Sequence, residues 1–189
     1  MVNSGAARPA VFLDRDGVLS VPEFRDGRSF APRRLADFRL YDDAAAAVAR
    51  LKAAGFCLVV VTNQPDVGNG LVARATVEEM HRRLAARLPL DAIEACYHGR
   101  ADECDCRKPK PGMLRRAAQR LGIDLARSFM IGDRASDVEA GRAVGCTTIF
   151  IDLDYVEPKP EQADFTARSL AEAASIVLRE AAAAGLLAK

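Results

Sequence analysis

The feature that most constrains this chain is a set of short apolar runs that end abruptly in polar clusters. Ala10-Val11-Phe12-Leu13 runs into Asp14-Arg15-Asp16-Gly17. Phe56-Cys57-Leu58-Val59-Val60-Val61 runs into Thr62-Asn63-Gln64, and Ser128-Phe129-Met130-Ile131 into Gly132-Asp133-Arg134-Ala135-Ser136-Asp137. Continuous apolar runs of this length fit strands covered on both faces, as in a parallel sheet. Helix signals lie between them, and alternation of strand and helix predicts an α/β fold: a Rossmann-like, doubly wound parallel sheet. All strands of such a sheet end on one side, so their terminal clusters converge where these folds bind ligands.

The elements follow from local chemistry. Asp42 or Asp43 can cap a helix that runs to about Ala54 and stops at Gly55. Helix signals return from Ala73 to Leu88, before Pro89, and Ala92 to Cys96 reads as a third strand. Pro111 opens a helix ended by Gly122, residues 135–144 form another with Gly145 past its end, and Thr147 to Ile151 is a further strand. An Ala-rich amphipathic helix from Ser169 to Ala184 closes the chain. Residues 18–40 read as irregular, 97–110 as a polar loop, and Met1 to Arg8 as a frayed start. With 189 residues, the expectation is one domain over residues 1–189.

The charge balance of 27 basic against 26 acidic residues, net +1, argues against a general nucleic-acid or membrane binder. No secretory signal or membrane-length apolar run is visible, so a cytoplasmic monomer acting on a small molecule is expected. No phosphate-binding Gly-rich loop with Lys-Ser/Thr, and no serine- or zinc-hydrolase signature, is present.

The converging groups specify a chemistry. Asp14, Asp16 and Asp133 would crowd negative charge, which a hard divalent cation such as Mg²⁺ relieves. Thr62, Asn63 and Lys108 add donors and a positive charge suited to a phosphoryl group. The expected reaction is transfer of a phosphoryl group to an Asp and then to water.

The loop after the third strand carries Cys96, His98, Cys104 and Cys106. Three thiolates and an imidazole match a closed tetrahedral zinc site, which would be structural and would brace the loop that presents Lys108. The other two cysteines, Cys57 and Cys146, read as small core residues, and His81 as part of a solvated helix face between Glu78-Glu79 and Arg82-Arg83. Arg33 and Arg34 read as solvated or as anion contacts on a rim formed by residues 20–36, and Lys159 as a residue able to approach the pocket mouth.

At these residues the chain resembles the phosphatases of the haloacid dehalogenase (HAD) superfamily. The motifs are Asp14-Arg15-Asp16-Gly17-Val18, Thr62, Lys108, and Gly132-Asp133 followed by Asp137, over roughly residues 10–152. The resemblance implies that Asp14 is the nucleophile and Asp16 the general acid and base. It implies Mg²⁺ on Asp14, the Asp16 carbonyl and Asp133, with Asp137 behind them, and phosphoryl contacts from Thr62, Lys108 and Asn63. Cys104 to Leu114 resembles the branch, in subfamily IIIA, that contains heptose bisphosphate 7-phosphatases and histidinol-phosphate phosphatases. That likeness implies substrate contacts from Arg107 and Arg134. Two departures from the heptose enzymes, Asn69-Gly70 and Val18-Leu19-Ser20, fall where specificity is decided. Residues 15–61 between the first two motifs are too few for a folded cap, so a capless site is expected. A polynucleotide end phosphatase and a non-catalytic scaffold are the competing readings; near-neutral charge and the intact acids weigh against them.

Overall fold

The computed structural model describes residues 7–25, 27–99 and 101–187. Its centre is a six-stranded sheet in the order β5-β4-β1-β6-β7-β8. The strands are β1 (Ala10–Leu13), β4 (Cys57–Asn63), β5 (Ala92–Cys96), β6 (Phe129–Gly132), β7 (Thr147–Ile151) and β8 (Phe165–Ala167). Every pairing is parallel. A separate antiparallel hairpin is made by β2 (Glu23–Arg25) and β3 (Arg28–Phe30).

The chain builds outward from β1 through β4 to β5, then crosses back to place β6 on the other side of β1. The reversal of winding between β1 and β6 opens a crevice at their carboxyl ends. Asp14 and Asp133 follow those two strands directly.

Side-chain alternation along the strands feeds two cores. Val11, Leu13, Leu58, Val60 and Ile131 face one core with residues of α1 (Ala44–Ala53) and α6 (Leu170–Ala183). Ala10, Phe12, Val59, Val61 and Met130 face the other, with residues of α4 (Gly112–Leu121) and α5 (Ala135–Arg142). Cys57 and Cys146 are buried there, as small apolar side chains should be.

Several boundaries differ from the sequence reading for identifiable reasons. The frayed start was drawn to Arg8; residues 1–6 lie outside the described residues, but Arg8 donates its N–H to Gly122 and bridges to Ile123. Asp43 stands at the start of α1 without capping it; its carboxylate accepts instead from the Ala171 N–H at the start of α6. The 18–40 segment is not irregular throughout, because it contains the β2–β3 hairpin. β8 and the short α2 (Pro65–Gly68) were not foreseen, since three or four residues carry too little periodicity to read. The helix α3 (Arg74–Arg87) and strand β5 fall where expected. Among the described residues, the span between β1 and β4 holds only the hairpin and α1, with no cap domain.

Candidate active site

The crest of the sheet is built by backbone first. The Asp14 N–H donates to Ile131 O at 3.0 Å, which locks the end of β1 to β6. The chain then turns at Gly17, whose φ of +92° is open to glycine and strained for other residues. A Cβ built there would collide with Asp133 Oδ2, so the close approach also requires glycine.

Lys108 reaches the nucleophile position from the far loop. Asn63, at the end of β4, grips that loop by donating Nδ2–H to Lys108 O and accepting Lys108 N–H on Oδ1, both at 3.0 Å. The buried ammonium then donates to Val61 O at 2.7 Å and pairs with Asp14 Oδ1 at 2.9 Å and Asp137 Oδ1 at 2.6 Å. Burial opposes its charge, yet Asp137 and Asp14 outweigh burial and hold the ammonium protonated well above its usual range. Asn63, expected near the phosphoryl oxygens, holds the lysine loop with one N–H and its carbonyl oxygen.

Asp14, Asp133 and Asp137 bring one carboxylate oxygen each within 4.8 Å of the others. Burial, opposed by Lys108 and reinforced by Asp137, pushes Asp14 up to about 6. Burial and then Asp14 and Asp137 push Asp133 well above the carboxylate range. Both oxygens of Asp133 are buried without a well-formed hydrogen bond, the Tyr155 hydroxyl being the neighbouring donor. Two orphaned buried carboxylate oxygens cost several kcal/mol at order of magnitude unless a cation or proton meets them. The donor set is hard, anionic and oxygen-only, so it fits Mg²⁺. Asp137 is different: its Oδ2 accepts from the Arg134 N–H at 3.0 Å and ties it to the start of α5.

Asp16 sits in a bed of donors. Arg15 Nε and its terminal nitrogen reach its two oxygens at 3.0 and 2.8 Å, Gln64 Nε2–H at 2.8 Å and Ser20 Oγ–H at 2.9 Å. Burial would raise its pKa, but Arg15 and these hydrogen bonds hold it below the carboxylate range. Gln64 also donates to Thr62 Oγ1 at 2.9 Å, which leaves the threonine proton free to point outward.

The expected substrate arginines are placed at the margins. Arg134 spans to Glu157 at 2.7 Å and to Ser29 O at 2.7 Å, joining the hairpin to the segment after β7. That segment lays Tyr155 against Phe24, with ring centres 5.5 Å apart. Arg107 donates to His98 O at 3.4 Å. Arg33 pairs with Asp66 at 2.6 Å and Arg34 with Asp37 at 2.7 Å, beside a groove of about 870 Å³ also lined by Arg25 and Arg39. Lys159 pairs with Asp152 at 2.6 Å.

Cys96, His98, Cys104 and Cys106 come together as the spacing implied, with every ligand atom within 4.8 Å of the rest. Cys96 Sγ lies 3.8 Å from Cys104 Sγ and, more closely than a zinc-bound pair, 3.1 Å from Cys106 Sγ. A tetrahedron with Zn–S bonds of ~2.3 Å has edges of about 3.8 Å. His98 Nδ1 is 3.2 Å from Cys106 Sγ. The soft four-ligand set fits structural zinc.

Sequence reasoning missed Arg15, Gln64 and Ser20, and misplaced His81. The histidine is buried, not solvated, with Nε2 3.1 Å from an Arg15 nitrogen. The signal was available: Val77, Met80, His81 and Leu84 are the buried stripe of α3 at helical spacing.

With this geometry in view, a model of the HAD-hydrolase-like family matches residues 105–173. The chain belongs to the haloacid dehalogenase superfamily of hydrolases. Its similarity is to one branch in particular. It is 37% identical over 150 residues to a D-glycero-beta-D-manno-heptose-1,7-bisphosphate 7-phosphatase of Pseudomonas aeruginosa, covering 77% of this chain and 82% of that protein. It is 38% identical over 179 residues to the enzyme of the same name from Escherichia coli K12, covering 87% and 91%. Among solved structures, the D,D-heptose 1,7-bisphosphate phosphatase from B. bronchiseptica, complexed with magnesium and phosphate, superposes with a TM-score of 0.77. The two share 32% identity over 91% of this chain and 99% of that one.

Proposed function

We propose that this chain is a magnesium-dependent phosphatase that removes the 7-phosphate of a heptose 1,7-bisphosphate through an aspartyl-phosphate. The observation that carries the reading is the buried, poorly satisfied Asp133 carboxylate beside Asp14, which Lys108 pairs with. The heptose assignment draws on relatives of that name at 37–38% identity.

Mg²⁺ would be held by Asp14, the Asp16 backbone carbonyl and Asp133, with Asp137 behind them, and when bound would offset the charge of the phosphoryl oxygens. Asp14 supplies the nucleophilic oxygen that forms the new O–P bond. Lys108, held by Val61 O and Asp137, sits against that same carboxylate and presents a fixed positive charge to the phosphoryl oxygens. The free Thr62 hydroxyl proton adds a donor. Arg15 holds Asp16 ionised in the free protein, so the proton must arrive with the phosphate monoester; Asp16 then passes it to the sugar oxygen as the old P–O bond breaks. It then takes a proton from the water that attacks the aspartyl-phosphate, which frees Asp14 and inorganic phosphate.

Asn63 and the zinc-binding set act on Lys108 from behind rather than on substrate. Arg107 and Arg134 stand at the rim, where an anionic second group of the sugar would meet them.

The test is phosphate release from heptose 1,7-bisphosphate, with histidinol phosphate as the comparison ester. Release should require Mg²⁺, favour the heptose by kcat/KM, and fall by at least about 10³ in Asp14→Asn, since that variant lacks the nucleophile. Retained activity in Asp14→Asn overturns the mechanism; preference for histidinol phosphate overturns the substrate.

A further inference from the structure

We propose that Arg15, backed by a neutral His81, is the positioning residue that aims Asp16 at the leaving oxygen; this rests on the phosphatase reading above. Arg15 is completely buried, at 0% exposure, although its neighbours in sequence line a polar site. Its guanidinium meets Asp16 as a fork, through Nε at 3.0 Å and a terminal nitrogen at 2.8 Å. Two parallel bonds fix the plane of a carboxylate as well as its place, which a single lysine nitrogen cannot do. The terminal nitrogen that bonds Asp16 also donates to Gln64 Oε1 at 3.0 Å. The opposite one faces His81 Nε2 at 3.1 Å.

That last contact fixes the histidine. Arginine has donors only, so Nε2 must accept and the imidazole must be neutral. The remaining ring nitrogen lies 3.5 Å from the Tyr97 hydroxyl. Phe38 covers Arg15 from another side, 5.5 Å from the guanidinium carbon. His81 therefore works as a fixed acceptor that stops the guanidinium from turning about its long side chain.

Two features separate this from an ordinary internal ion pair. A buried pair is weak evidence for stability, because desolvation offsets the attraction. And the Asp16 side chain is 13% exposed while Arg15 is 0% exposed, so the carboxylate alone looks out of the network. Gln64 links the same carboxylate to Thr62 Oγ1, which ties the acid to a phosphoryl-binding hydroxyl at 2.8 and 2.9 Å. The proton route is unchanged: Asp16 gives it to the sugar oxygen, and recovers it from water. Arg15 sets only where that carboxyl stands.

The test separates aim from fold by leaving group. kcat/KM covers the steps up to loss of the alcohol, so it reads protonation of the leaving oxygen. A sugar phosphate needs that proton; p-nitrophenyl phosphate, with a stable phenolate, does not. In His81→Leu, kcat/KM should fall about 10- to 100-fold on the sugar ester and under about threefold on the nitrophenyl ester, within the range of general acid effects. His81→Gln, which keeps an acceptor, should recover most of the loss. Arg15→Lys should show the same bias more strongly; should it not fold, the His81 pair decides. Equal losses on both esters, or no loss in His81→Leu, overturn the positioning role alone. Wild-type protein that hydrolyses neither ester overturns the phosphatase reading and this one with it.

Discussion

At the scale of single residues, the site is a balance of charges held by very few atoms. Gly17, Asp133 and His81 illustrate different kinds of constraint. Gly17 combines a φ of +92° with a contact that leaves no room for a Cβ. Gly17→Ala should therefore displace Asp133, weakening Mg²⁺-dependent activity more than ten-fold; an unchanged kcat/KM would count against the tight approach. His81 has a measurable signature of its own. Burial and then the Arg15 charge push its pKa down to about 4 from an ordinary 6.5. A group whose folded pKa is depressed contributes stability above its unfolded pKa and loses it as pH falls. Between pH 6.5 and 4 the unfolded chain takes up a proton that the folded chain refuses, a difference on the order of 3 kcal/mol. Urea midpoints of wild type and His81→Gln should diverge at pH 7 and converge toward pH 4. Parallel pH curves would mean that His81 takes up its proton as readily in the folded chain as in the unfolded one. The motif aspartates, Thr62 and Lys108 were readable because their chemistry is fixed by type and strand position. Arg15 was harder, because a buried cation is legible only once its partners from other elements are known; helical spacing could place His81 inside, but not against Arg15.

At the scale of elements, the informative unit is the loop from Cys96 to Lys108. It has little apolar surface of its own; Cys96 and Cys106 are its contribution to the core. Burial pushes the Cys96 thiol up to about 12, which a bound metal must reverse by taking the thiolate. The loop is stapled at one end by the four soft ligands and at the other by Asn63 gripping Lys108. Removing either staple should act on the lysine. Cys104→Ser should lose about one equivalent of zinc, as read by metal analysis, and leave residues 97–110 exchanging amide hydrogens faster. Asn63→Ala should keep the zinc and lower kcat by about ten-fold or more through a misplaced Lys108. Full activity in Asn63→Ala would show that neither the grip on Lys108 nor a phosphoryl contact from this side chain matters. The long strands and helices were legible here because burial on two faces leaves a continuous apolar run. The hairpin and β8 were not, because their placement depends on what they cover: the hairpin is joined through Arg134 to the segment after β7.

At the scale of the whole molecule, the fold stores a repulsion that, at neutral pH, a bound cation relieves. The winding reversal at β1 and β6 places Asp14 and Asp133 side by side, and the cost falls on stability. Asp14, with its pKa raised from 3.8 to about 6, stabilises the folded state at low pH and ceases to do so as pH rises through about 6. Asp133 is shifted in the same direction. Without metal, these two groups should make the protein lose stability between pH 4 and pH 7 relative to a chain lacking them. Mg²⁺ binds the ionised carboxylates, so its stabilising effect should grow over the same window. At one hundred times its Kd, a ligand adds about 2.7 kcal/mol, worth several degrees of Tm for a chain of this size. The Tm increase on adding Mg²⁺ should therefore be large at pH 7.5 and small at pH 5. Asp133→Asn removes one of the opposed charges and turns one unmet acceptor into an N–H donor beside Asp14. It should melt higher than wild type in the absence of Mg²⁺ at pH 7.5, show no Mg²⁺-dependent rise, and release no phosphate. A variant that melts lower without metal, or still responds to it, would show that the acidic crest is not the strained element of this fold.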